Sequence, residues 1–197
     1  MDSYNLLPQK KFQPAGPLSS KFLELGIDEF SQAACYVHEF PYGYNSTYED
    51  PLILFNEGKG TCTSKHDVIA GLAKEIGLHV YKHVGIYQMT EEIVAGTQEI
   101  LNRYKLPYIP MIHCFLVYNN YRFDLTEGNK NGKKRSIENF IHHDQVEPLF
   151  PQKDEYILLK RVIKEKVLVS PEMAAVSEFI LLKAREEGLK LLKRNIL

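Results

Sequence analysis

Apolar residues recur every three to four positions between Asp28 and Phe40, at Phe30, Ala33, Ala34 and Val37. That spacing predicts a helix, which Asp28 caps and Pro41 stops. Residues 1–17 hold three of the ten prolines and no sustained period, so they read as an extended arm. Pro41–Asp50 (PYGYNSTYED) is rich in turn residues and tyrosine and reads as a loop. Helical spacing returns from Thr61 to Ile76 and ends at Gly77, where a left-handed residue closes a helix. Ile69, Ala73 and Ile76 share the apolar face of that helix with Cys62.

Beyond Gly77 the period shortens to two, and LHVYKHVGIY reads as a strand. Thr90–Lys105 is again helical, with Glu91 and Glu92 at its positive end and Pro107 beyond it. Ile109–Tyr118 and Tyr121–Thr126 are strands joined by Asn119-Asn120, a pair that tolerates the positive φ of a two-residue hairpin turn. The loop EGNKNGKKR follows, then a short helix from Ser136, an apolar strand over Tyr156–Val162 and a second at Val167–Val169. Ser170-Pro171-Glu172 opens a final amphipathic helix, Pro171–Leu197, with a stripe of Phe179, Leu182, Leu189 and Leu192 that Gly188 weakens. Neither a repeat nor a linker divides the chain. The pattern predicts one domain over residues 1–197, with an arm (about 1–17) and a C-terminal amphipathic helix (about 171–197). Helices, then mostly antiparallel strands, then a helix make the class α+β.

Composition narrows the function classes. The 197 residues are 44% hydrophobic and 25% charged, an ordinary globular mixture that excludes collagen, disordered and disulfide-scaffold chains. Lys plus Arg number 24 against 25 for Asp plus Glu, so the basic excess of a nucleic-acid binder is missing. MDSYNLLPQKKF has neither a basic nor an apolar leader region, and no run approaches the roughly 18 apolar residues of a membrane span. Cys35, Cys62 and Cys114 are odd in number and lack the close pairing of a structural zinc site. The expectation is a cytoplasmic protein with reduced thiols, no metal and no cofactor.

One cysteine stands where a thiol does chemistry. In Gly58-Lys59-Gly60-Thr61-Cys62-Thr63-Ser64-Lys65-His66, Cys62 falls in the first turn of a helix behind two glycines. Free backbone N–H groups and the helix dipole stabilise a thiolate there, and Lys65 adds to that field. The alternative is a small apolar residue on the buried stripe. The hairpin supplies a base. With Asn119-Asn120 as the turn, Phe115 faces Asp124 and His113 faces Thr126, which makes His113 and Asp124 diagonal neighbours on one face. An Asp on one ring nitrogen leaves the other free to take a thiol proton. A slip of one residue would put the two on opposite faces.

These segments resemble a known superfamily. GKGTCTSKHDVIAGLAKEIGL is similar to the nucleophile helix of transglutaminase-like proteins, in which a G-x-C motif opens the helix. HCFLVYNNYRFDLT is similar to the family's second and third boxes, a His-led strand and an aromatic-x-Asp-x-Thr ending after a short hairpin. The resemblance spans roughly Leu52–Thr126. It implies a papain-like α+β core, with the Cys helix packed on an antiparallel sheet, and a triad of Cys62 as nucleophile, His113 as general base and Asp124 as its orienting acid. Phe115 and Phe123 stand where the family often has Trp, which this chain lacks. No acidic calcium loop of the cross-linking members is present. The Cys62 N–H is one oxyanion donor. Asn56, six residues upstream as in papain-like enzymes, is the side-chain candidate, with Tyr44 or Asn45 as alternatives.

Other residues have plainer readings. His66 lies one turn after Cys62 without further metal ligands near it, His79 and His83 share a strand face, and His142-His143 is a solvated pair. Cys35 and Cys114 read as core. Lys130, Lys133, Lys134 and Arg135 read as a solvated loop, or as an anion-attracting border of a cleft. Two functions remain open. One is a cysteine enzyme acting on a peptide, amide or thioester carbonyl, a hydrolase if water resolves the acyl-enzyme and a transferase if an amine does. The other is a non-catalytic domain that binds a peptide or protein partner. The C-terminal helix docks on its own core, lies on a membrane surface, or binds a partner such as a second copy in a homodimer.

Overall fold

The computed structural model describes residues 3–196. The fold is α+β around one four-stranded antiparallel sheet of order β3-β2-β1-β4, with β1 Tyr81–Met89, β2 Ile109–Tyr118, β3 Tyr121–Phe123 and β4 His142–Val146. The chain clusters into two compact units. The first takes in the described residues up to His83 together with Cys114–Asn129 and Gln145–Pro151. The second takes in Val84–His113, Lys130–Asp144 and Gln152 onward.

In the first unit, α1 Pro17–Glu24, α2 Phe30–Glu39, α3 Ile53–Glu57 and α4 Cys62–Glu75 surround a core that includes Phe22, Phe30, Leu54, Ile69, Leu72 and Phe123. The α4 boundaries follow the sequence signals. Thr61 is the N-cap, its N–H donates to Ser64 Oγ at 3.0 Å, and Gly77 adopts φ 69° beyond the end. The hairpin register is also the expected one: Leu116, Val117 and Tyr118 pair with Phe123, Arg122 and Tyr121, and the turn residues Asn119 and Asn120 adopt φ 48° and 65°. Strand β3 stops at Phe123 because Asp124 Oδ1 captures both the N–H and the hydroxyl of Thr126 (2.9 and 2.7 Å), which turns the chain out of the ladder.

Among the described residues the arm opens on a 3-10 turn, Ser3–Leu6, and continues without helix to an antiparallel bridge between Lys11 and Glu29, with Tyr4, Leu7 and Phe12 buried in the core. Isolated apolar residues leave no period, so only tertiary packing reveals them. Asp28 does not cap α2, which starts at Phe30. Its carboxylate pairs with Lys11 at 2.8 Å and its carbonyl accepts the Phe12 N–H, so it fastens the arm instead.

The second unit departs further. The helix expected over Thr90–Lys105 is α5 Thr97–Tyr104 alone. Glu91 still serves its positive end, from outside the helix, by accepting the Gln98 N–H at 3.0 Å. No helix starts at Ser136; Ile141 donates its N–H to Ile86 O and leads the chain into β4. The apolar runs Tyr156–Val162 and Val167–Val169 are not strands. They belong to α6 Gln152–Val162, the π-turn Ile163–Val167 that continues it, and the turn residues after it. Leu158, Leu159, Val162 and Ile163 are buried at helical spacing, which a short apolar run cannot distinguish from a buried strand.

The last helix, α7 Glu178–Ile196, begins later than the Ser-Pro-Glu signal predicts. Ser170 Oγ bonds backward to Val167 O, and Pro171–Met173 forms only one 3-10 turn. The docked stripe is Leu181, Ala184, Gly188 and Leu191, while Phe179 is 64% exposed. Gly188 sets that rotation. A Cβ there would stand 2.7 Å from Met89 Cε, with Ile109 and Met111 just behind, so the helix meets the sheet at its glycine. Among the described residues no helix is long and apolar enough to cross a membrane. Leu191→Ala should cost about 2–4 kcal/mol in denaturant unfolding. Phe179→Ala should stay within about 0.5 kcal/mol. The reverse order would mean that the helix docks through the stripe read from the sequence.

Candidate active site

Cys62 is the first residue of α4 and 9% exposed. Its N–H is one of the four at a helix start that have no partner within the helix. The tyrosine-rich loop 41–50 is fastened to this turn. Gly60 N–H donates to Pro41 O and Gly43 N–H to Gly60 O, at 3.1 and 3.2 Å. Asn45 donates Nδ2 to Glu57 and to Lys59 O, and its Oδ1 accepts the Ser64 hydroxyl at 2.7 Å. Glu57 also accepts the N–H and hydroxyl of Ser46; the Ser46 hydroxyl first, then the Asn45 amide, hold its carboxyl below the usual range.

The loop brings Tyr44 within electrostatic reach of Cys62. Its phenol is pushed up to about 12, by burial first and then by charge on the Cys62 sulfur and on Tyr48. Tyr44 therefore keeps its proton at neutral pH. The other two side chains offered as oxyanion donors are engaged elsewhere. Asn56 lies on the exposed side of α3 and donates to Asp50 Oδ2 at 3.1 Å. The Asn45 amide serves Glu57 and Lys59.

Three consecutive polar residues of α4, Lys65, His66 and Asp67, are buried and radiate in different directions. Lys65 Nζ donates to His38 O at 2.9 Å, Phe40 O at 2.6 Å and Leu125 O at 3.5 Å, and also contacts Asn129 Oδ1. Burial lowers its amine to about 8, against the attraction of Asp124 and Glu39. His66 joins Cys62 O at 2.6 Å to the Leu125 N–H at 2.8 Å. Asp67 Oδ1 accepts Lys82 Nζ and the Leu149 N–H, each at 2.8 Å. Burial raises the Asp67 carboxyl even though Lys82 opposes it. The sequence carried a signal for these roles: Lys65 and His66 lie three and four positions after Cys62 and recur with Ile69 on the face that should be apolar.

Asp124 follows β3, 3.7 Å from His66 Nε2, and its carbonyl accepts the Tyr4 hydroxyl at 2.9 Å. His113 lies in β2, 2% exposed, with its ring edge-to-face against Tyr87. Cys114 is buried with Sγ 3.8 Å from Thr63 Oγ1, and Cys35 is half-buried in α2. The Phe115 ring stacks on His83 and carries the Arg122 guanidinium over it. His79 bonds to Tyr81, and His142 pairs with Asp144 at 3.0 Å. In the basic loop, read from the sequence as solvated or as the border of a cleft, Lys134 pairs with Glu91 and Arg135 with Glu92. Among the described residues no group of three or more His, Cys, Asp or Glu is placed to hold a metal ion.

The Lys65 cage gives the protein an alkaline signature. Its amine titrates near 8 in the folded chain and at an ordinary 10.5 when unfolded. Between these values the unfolded chain retains a proton that the folded chain has released, so this group makes stability rise with pH there and contributes no slope below about 8. Chemical denaturation from pH 7 to 10 should show that rise in the wild type and its loss in Lys65→Met, whatever the variant's absolute stability. Parallel curves would contradict the assignment.

Compared with protein-family models, characterised proteins and solved structures, the chain matches none.

Proposed function

We propose that this protein is a cysteine-dependent acyl-transfer enzyme with a transglutaminase-like, papain-like core, hydrolysing a peptide or amide bond in a reducing cytoplasm without a cofactor. The observation that carries the reading is Cys62 at the first position of α4, with His66 joining its carbonyl to the segment that holds Asp124. The reaction needs a nucleophile, a base and an oxyanion site. The Cys62 thiolate adds to the carbonyl carbon, and the oxyanion that forms accepts from the Cys62 N–H and from Tyr44 Oη. His113, which holds the thiol proton, delivers it to the leaving amine as the C–N bond breaks, and an acyl-enzyme remains. His113 then takes a proton from water, the hydroxide adds to the thioester, and collapse releases the acid and the thiol. An amine in place of water gives transfer instead. Asp124 keeps the imidazole in the tautomer that leaves its catalytic nitrogen free.

Limiting iodoacetamide with peptide mapping should label Cys62 before Cys35 and Cys114, and His113→Ala should slow that labelling. Against a panel of peptide anilides and thioesters, Cys62→Ala should be inactive. Tyr44→Phe should lose roughly 100-fold in kcat, the usual cost of one oxyanion donor. Prior labelling of Cys35 or Cys114, or full turnover by Cys62→Ala, would sink the proposal.

A further inference from the structure

We infer that His66 is a positioning residue of this site: its imidazole ties the Cys62 turn of α4 to the segment carrying Asp124, and so sets where that carboxylate stands relative to the nucleophile. The inference rests on the reading that Cys62 and Asp124 serve one reaction. His66 is fully buried, and both ring nitrogens are committed. A backbone N–H can only donate, so the Leu125 N–H at 2.8 Å requires a lone pair on Nε2. The ring proton is then on Nδ1, 2.6 Å from the Cys62 carbonyl that accepts it. One neutral tautomer thus joins the carbonyl of the nucleophile to the amide next to Asp124.

The segment needs such a tie because it has left the sheet. Strand β3 ends at Phe123, and side chains together with a turn bond from the Glu127 N–H to the Asp124 carbonyl hold the backbone that follows. Tyr4 donates to the Asp124 carbonyl, His66 accepts from the Leu125 N–H, and Lys65 donates to the Leu125 carbonyl. The carboxylate itself is rotated by Thr126, whose N–H and hydroxyl both reach Oδ1. His66 Nε2 stands 3.7 Å from that oxygen, beyond hydrogen-bond distance, so the ring acts on Asp124 through the backbone. Among these groups, His66 also grips the Cys62 carbonyl.

The test is the pH profile of Cys62 alkylation by iodoacetamide, measured on folded protein from about pH 5 to 9, the range over which activated and ordinary thiols separate. Asp124→Asn and His66→Leu should both shift the profile to higher pH and slow alkylation at neutrality roughly tenfold. His66→Gln, whose Oε1 can take the Leu125 N–H, should stay within about twofold of the wild type. If the Leu variant does not fold, His66→Asn replaces it, because its shorter amide cannot span from the helix to Leu125. A Leu or Asn variant at His66 that melts lower yet keeps the wild-type profile, while Asp124→Asn shifts it, would make the ring purely structural and overturn the inference alone. An unchanged profile in Asp124→Asn would overturn the catalytic reading and this inference with it.

Discussion

The buried ammonium of Lys65 meets the carbonyls of His38, Phe40 and Leu125 in the middle of the nucleophile-bearing helix, and the first unit is organised around it. These carbonyls belong to the end of α2 and to the stretch after β3, where regular hydrogen bonding has stopped. Buried carbonyls without donors are costly, and three rotatable N–H groups on one flexible stem satisfy them together. The price is a charge out of water, visible in the lowered amine. Asp67 repeats the device on another side of α4, gathering Lys82 of β1 and the backbone of Leu149. Removing one partner of such a buried pair leaves the other charge uncompensated, so the arrangement imposes a single register on the segments it joins.

This makes α4 a hub whose polar side chains act as the cross-links that helices and strands cannot supply. Its first turn carries Cys62 and is overlaid by the loop that Asn45, Ser46 and Glu57 hold down. Burial first, and charge on the Cys62 sulfur in addition, raises both Tyr44 and Asp67. By reciprocity, a deprotonated Tyr44 or Asp67 would oppose the thiolate, so a phenol that keeps its proton to about 12 suits a nearby thiol that must lose one. The second unit is held by different means. There α7 closes over Met89, Ile109 and Met111 at a glycine.

Local chemistry alone determined several parts of this protein. The capping Thr61 and the closing Gly77 delimit α4 because helix ends are satisfied by near neighbours. The hairpin register follows from Asn119-Asn120, since two residues at positive φ leave only one pairing for the flanking strands. The position of Cys62 at a helix start is a consequence of the first of those boundaries.

Only the tertiary structure decided the rest. Tyr156–Val162 reads equally well as a buried strand or a buried helix, and its helical state depends on what it packs against. The rotation of α7 rests on Gly188, which by propensity weakens a helix and by packing admits it to the sheet. The arm is legible only once Tyr4 reaches the carbonyl of Asp124, 120 positions along the chain. Lys65 and His66 show the divide most clearly. A polar residue on an apolar face signals burial from the sequence, but its partners are backbone groups of distant loops, and every residue type carries those alike. Periodicity records which side chains go inside; which carbonyl they meet there is decided by the path of the whole chain.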